Sequence, residues 1–152
     1  MKRKLILLFL MTLVLAGCGN ADLTAREIHL ETDICEICNM AISHPDYAAQ
    51  AIFKNNDYQV FDDLGCLIDF LKGESAKEVV IAYIYSEDTG QWIDVKEAYF
   101  VYNADYWTPM NYGVLAFEKE QALTDYVQEN GDGQLLSYEA LLTDFKWGVH
   151  TH

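Results

Sequence analysis

Apolar and polar positions fall into three regimes along the chain. Residues 5–15 form a near-continuous apolar run, residues 19–26 are polar and patternless, and from Glu27 onwards the sequence becomes strand-like. Residues 47–53 and 58–61 flank the turn-rich Lys54-Asn55-Asn56-Asp57, which predicts a β-hairpin. Asp62 and Asp63 can cap a helix whose apolar positions Leu64, Leu67, Ile68 and Leu71 follow helical spacing, and Gly73 closes it. Residues 79–85, β-branched and aromatic, predict a buried strand that turns back at Glu87-Asp88-Thr89-Gly90. Further strands are expected at 92–94, 98–102 and 114–117. A helix follows over 118–128 with Ala122, Leu123, Tyr126 and Val127 inward, then a strand at 134–136 and a last helix capped by Ser137. Each half repeats the order strand, strand, helix, strand. The expectation is an α+β fold of two related ββαβ units, packed as one compact domain.

The start of the chain sets an address. Lys2, Arg3 and Lys4 precede the apolar run, which is too short to span a bilayer comfortably, and Leu15-Ala16-Gly17-Cys18 ends it. This resembles a bacterial lipobox, so residues 1–17 read as a lipoprotein signal peptide and Cys18 as the lipidated residue. Acyl chains there would hold the protein to the membrane, with residues 18–26 as anchor and tether. The expected domain then covers 27–149, with halves at 27–90 and 91–149, and a histidine-containing tail at 150–152. Such a product is extracytoplasmic, at the bacterial cell membrane, where paired thiols tend to oxidise.

Charge narrows the partners. The formal net charge is −14, and removal of residues 1–17 would take three of the ten basic side chains. This argues against nucleic acid or anionic lipid and suits attraction of cations, although a solvated acidic surface also keeps a protein soluble.

The chemistry is concentrated in Asp33-Ile34-Cys35-Glu36-Ile37-Cys38-Asn39-Met40, which gathers three sulfur side chains in six residues. C-x-x-C can form a disulfide or clasp a metal, but Met40 can only lend a thioether to a soft ion, which tilts the reading towards Cu(I). On an extended segment Cys38 and Met40 would share a face, and Cys35 could complete a trigonal site. Three cysteines remain after Cys18, so at least one is free, metal-bound or intermolecular. Met110, in a loop after Pro109, and His44, before Pro45, are further candidate ligands. Cys66 reads as a small buried thiol between Leu64 and Leu67. His150 and His152 form a terminal H-x-H, and His29 has no assigned role. A thiol-disulfide oxidoreductase using Cys35 and Cys38, a structural zinc site and a plain disulfide stay open. No helix is expected to start at the C-x-x-C, as a catalytic dithiol needs, and zinc would want a second cluster. The sequence carries no G-x-S-x-G, phosphate-binding loop or H-E-x-x-H.

Together the lipobox, C-x-x-C-x-M, Tyr47-Ala48-Ala49-Gln50, the block from Trp92 to Val101, and Thr108-Pro109-Met110 leading into Val114-Leu115-Ala116-Phe117 resemble the NosL family. These are copper-binding lipoproteins associated with maturation of nitrous oxide reductase. The resemblance implies a fold of ββαβ units, Cu(I) binding without enzymatic activity, and copper delivery between a membrane transporter and a copper enzyme. It carries Cys38, Met40 and Met110 over as ligands, whereas Cys35 belongs to part of the family and Cys66 is not a shared landmark.

Overall fold

The computed structural model describes residues 22–30, 32–143 and 145–146. The expected signal peptide, Cys18 and the tail histidines His150 and His152 lie outside the described residues.

Two antiparallel sheets organise the chain. The first joins β1 (Ala49–Phe53), β2 (Tyr58–Phe61), β3 (Val79–Tyr85) and β4 (Trp92–Asp94) in the order β2-β1-β3-β4, with helix α1 (Leu64–Leu71) between β2 and β3. The second joins β5 (Tyr99–Tyr102), β6 (Val114–Phe117) and β7 (Gln134–Leu136) in the order β6-β5-β7, with α2 (Glu120–Asn130) between β6 and β7. The three-strand order is the same in both, middle strand first, so the expected pair of ββαβ units is present. β4 is the addition: it pairs with β3 at Ile84↔Ile93, so the first sheet runs past residue 90 to Asp94. A short α3 (Tyr138–Thr143) follows β7, its third amide bonded to the Ser137 hydroxyl as predicted.

The core lies where α1 meets both halves. Six of its eight residues are buried, among them Leu64, Cys66, Leu67 and Ile68, and a fully buried aliphatic side chain contributes roughly 1.5–3 kcal/mol. They pack with Phe61 and Ala49 from the first sheet and with Phe100, Val114 and Ala116 from the second. The opposite face of the second sheet, carrying Val101, Leu115 and Phe117, closes on Leu123 of α2. Alternation therefore sends successive residues of β5 and β6 into two different cores.

Three local expectations are corrected. Residues 27–30 join no sheet, and Thr32 and Asp33 N–H donate back to His29 O in a turn; residues 22–26 are held by side chains of the first half. Arg26 N–H donates to Gln50 Oε1 at 2.7 Å, Gln50 Nε2 returns a bond to Arg26 O, and Tyr83 O–H donates to Leu23 O. Residues 45–47 form a single 3₁₀ turn begun by Pro45, so the strand starts at Ala49. β3 is half-buried rather than buried: Ala82 and Ile84 face inward while Val80 is exposed.

Candidate metal centre

The C-x-x-C-x-M segment is a tight hairpin. Ile34 bridges Ala41, Cys35 N–H donates to Met40 O at 2.9 Å, and Ile42 N–H donates to Asp33 O. Asn39 takes the left-handed conformation (φ 58°) that lets the chain reverse, which asparagine tolerates better than most residues. The expected extended geometry, with Cys38 and Met40 on one strand face, is therefore replaced by a turn. Glu36 N–H donates to Val60 O and fastens the hairpin to the end of β2.

From β2 the chain runs through Asp62 and Asp63 into α1, bringing Cys66 up from its first turn. The sulfurs of Cys35, Cys38 and Cys66 all lie within 4.8 Å of one another. All three are free thiols; Cys35 and Cys66 are buried and Cys38 is half-buried. Sulfurs around one small soft ion at bond lengths of about 2.3 Å in a plane stand about 4 Å apart, so modest contraction suffices.

The cluster is electrostatically prepared. The Cys66 thiol donates to Cys35 Sγ, and backbone N–H groups of Cys38, Asp62 and Ile37 point at the same sulfur, holding the Cys35 thiol down at about 5. The Cys66 thiol is pushed up by its hydrogen bond to the Cys35 sulfur and by burial. Burial also raises Cys38, opposed by the Met40 N–H that donates to its sulfur. A thiolate is the metal-binding form, so Cys35 is ready to ligate.

Two acids wall the cluster. Burial, then the negative Cys35 sulfur, raises Asp62, and its Oδ1 has no hydrogen-bond partner among the described residues. Asp63 caps α1, accepting from Gly65 N–H at 2.6 Å, and its other oxygen accepts from Met110 N–H at 3.3 Å. The Thr108 hydroxyl also bonds to it; burial still raises its carboxyl to about 6. Asp63 thereby clamps the 107–113 loop of the second half onto the helix that carries Cys66. Gly65 permits the approach, because a Cβ there would fall 2.2 Å from Cδ2 of the Tyr112 ring.

The predicted ligands are placed unequally. Cys35 and Cys38 meet; Met40, paired through its carbonyl with Cys35 N–H, is 46% exposed. Met110 is half-buried against the core cluster that contains Cys35 and Cys66. His44 lies outside the three-sulfur group, its ring edge-on to Trp107 at 4.9 Å. Cys66 is the residue that sequence reasoning assigned to packing. The odd cysteine count was the signal that could have found it.

A redox dithiol fits this geometry poorly. Such a pair usually presents its first cysteine to solvent at a helix N-terminus. Here Cys35 is 0% exposed and residues 36–38 are a turn.

Comparison with known proteins agrees with the topology. The crystal structure of the copper chaperone NosL from Shewanella denitrificans superposes with a TM-score of 0.67 at 19% identity, over 76% of this chain and 93% of that chain. No curated protein sequence matches significantly. The NosL family profile matches residues 27–145, and the chain belongs to the NosL family.

Proposed function

We propose that this protein is a copper chaperone, anchored at the extracytoplasmic membrane surface through Cys18, that carries Cu(I) on its sulfur cluster. Copper passes between a copper-transporting membrane complex and an acceptor copper enzyme, for which nitrous oxide reductase is the acceptor that family membership suggests. The observation that carries this reading is the convergence of three free thiols, one of them half-exposed, in a cluster whose hairpin also carries Met40. Cu(I) prefers such soft sulfur donors and is satisfied by two or three of them. The lipobox supports the anchor, and the formal charge of −14 supports attraction of cations and no nucleic-acid partner.

Transfer follows from the exposure gradient. An incoming sulfur or imidazole of the partner approaches Cys38 from the solvent side and bonds to the ion. The inner sulfurs then dissociate, and copper moves without being released into water.

The test is an anaerobic titration of the reduced full-length chain in detergent with Cu(I), in competition with a bicinchoninate-type chelator. One-to-one binding is expected, and Cys38→Ser should weaken it by more than about a hundredfold, beyond what outer-shell changes produce. Unchanged affinity in a folded Cys38→Ser protein would overturn the assignment.

A further inference from the structure

The sulfur donors lie at two depths. Cys35 and Cys66 are 0% and 1% exposed, Cys38 is half-buried, and Met40 is 46% exposed. The inner pair comes from two unrelated elements, the hairpin and the first turn of α1, and Cys38 is within 4.8 Å of both. Backbone N–H groups from residues 37, 38 and 62 converge on the Cys35 sulfur. A cysteine placed only to fill space does not require two more thiols at ligand spacing around it.

We propose that Cys66 closes a buried tri-thiolate station for Cu(I) behind the outer Cys38–Met40 station, with Cys38 shared by both. This rests on the copper reading and specifies how the cargo is kept. At the outer station copper bonds to Cys38 Sγ and Met40 Sδ and is open to exchange. Moving inward, the bond to Met40 breaks while bonds to Cys35 and Cys66 Sγ form. The proton on Cys66 leaves to solvent, and copper stays in the +1 state throughout. The inner station retains the ion, and the outer one hands it over.

The experiment uses the reduced full-length chain in detergent with one equivalent of Cu(I). X-ray absorption at the copper edge reports coordination number, and excess bathocuproine-type chelator reports the release rate. The wild type should show three-coordinate sulfur ligation that Met40→Leu leaves unchanged. Cys66→Ala, a small apolar replacement suited to its buried helical position, should reduce coordination and speed release by more than about a hundredfold, as should Cys35→Ala. Two-coordinate copper in the wild type, or a spectrum and release rate untouched by Cys66→Ala, would overturn the inner station while leaving the chaperone reading intact. Failure of the wild type to compete with the chelator would remove the copper reading itself. Cys66→Ser, nearly isosteric with cysteine, repeats the comparison if Cys66→Ala does not fold, with the same expected loss of a sulfur ligand.

Discussion

The two ββαβ units share a strand order but treat the same junction in opposite ways. In the first, β2 passes through Asp62 and Asp63 into α1, and both acids and six helical residues are buried. In the second, β6 passes through exposed Glu118 and Lys119 into α2, where Leu123 is the buried residue and the cap position has no side-chain hydrogen bond. A strand-to-helix corner is cheap to build when solvated. Covering it with the other half costs the desolvation of two carboxyls, and what that covering creates is an enclosed space where Cys66 faces Cys35 and Cys38. The difference teaches that the second unit serves as cover for the strand-to-helix corner of the first.

The contrast can be sharpened most strongly through Asp63. Its carboxyl rises from 3.8 to about 6 in the fold, so between those values the native state binds a proton that the unfolded chain lacks. This contribution to stability is present below about pH 4 and is lost as pH rises through 6. Two units correspond to roughly 3 kcal/mol. Urea denaturation from pH 4 to 7 should show the wild type losing that amount relative to Asp63→Asn, a difference from which the opposing gain as the Cys35 thiol ionises above about 5 cancels; parallel curves would refute the assignment.

Breaking the contact between halves is the next largest effect. Gly65→Ala drives a methyl into the Tyr112 ring and should cost about 2 kcal/mol, in the range of overpacked cores. Gln121→Ala, at the matching second position of exposed α2, should stay within about 0.5 kcal/mol. Equal losses at the two sites would mean that the corners do not differ as described.

The smallest change makes the corners alike. Lys119 already has extended cap geometry (φ −123°, ψ 132°), so Lys119→Asp supplies the missing acceptor and should stabilise by about 1 kcal/mol. A melting temperature that does not rise would show that α2's first turn is satisfied in another way.

Much of this fold was legible because its signals are local. The turn tetrad at residues 54–57, the cap at Asp63 and the helical spacing of Leu64, Leu67 and Ile68 each act within a few residues. The segment before Cys35 misled because its alternation matches a strand, whereas its bonds close locally, His29 N–H on Asp33 Oδ2 and the Thr32 and Asp33 N–H groups on His29 O. The site was half legible. C-x-x-C-x-M marks itself in the sequence, but Cys66 lies 28 positions beyond Cys38 in a helix whose period makes it look like filler. The odd cysteine count hints at it, and the tertiary path of β2 and the clamp at Asp63 place it.

The stitched segment at residues 22–26 also fixes a direction. Asp22 N–H is bonded to Asn56 at the tip of the β1–β2 hairpin, while the sulfur cluster sits past the opposite end of β2. At about 3.3 Å per residue, those six positions from 56 to 62 separate mooring point and cluster by about 20 Å. Under the anchoring proposed through Cys18, the tether would join the molecule at this end, with the sulfur site at the other.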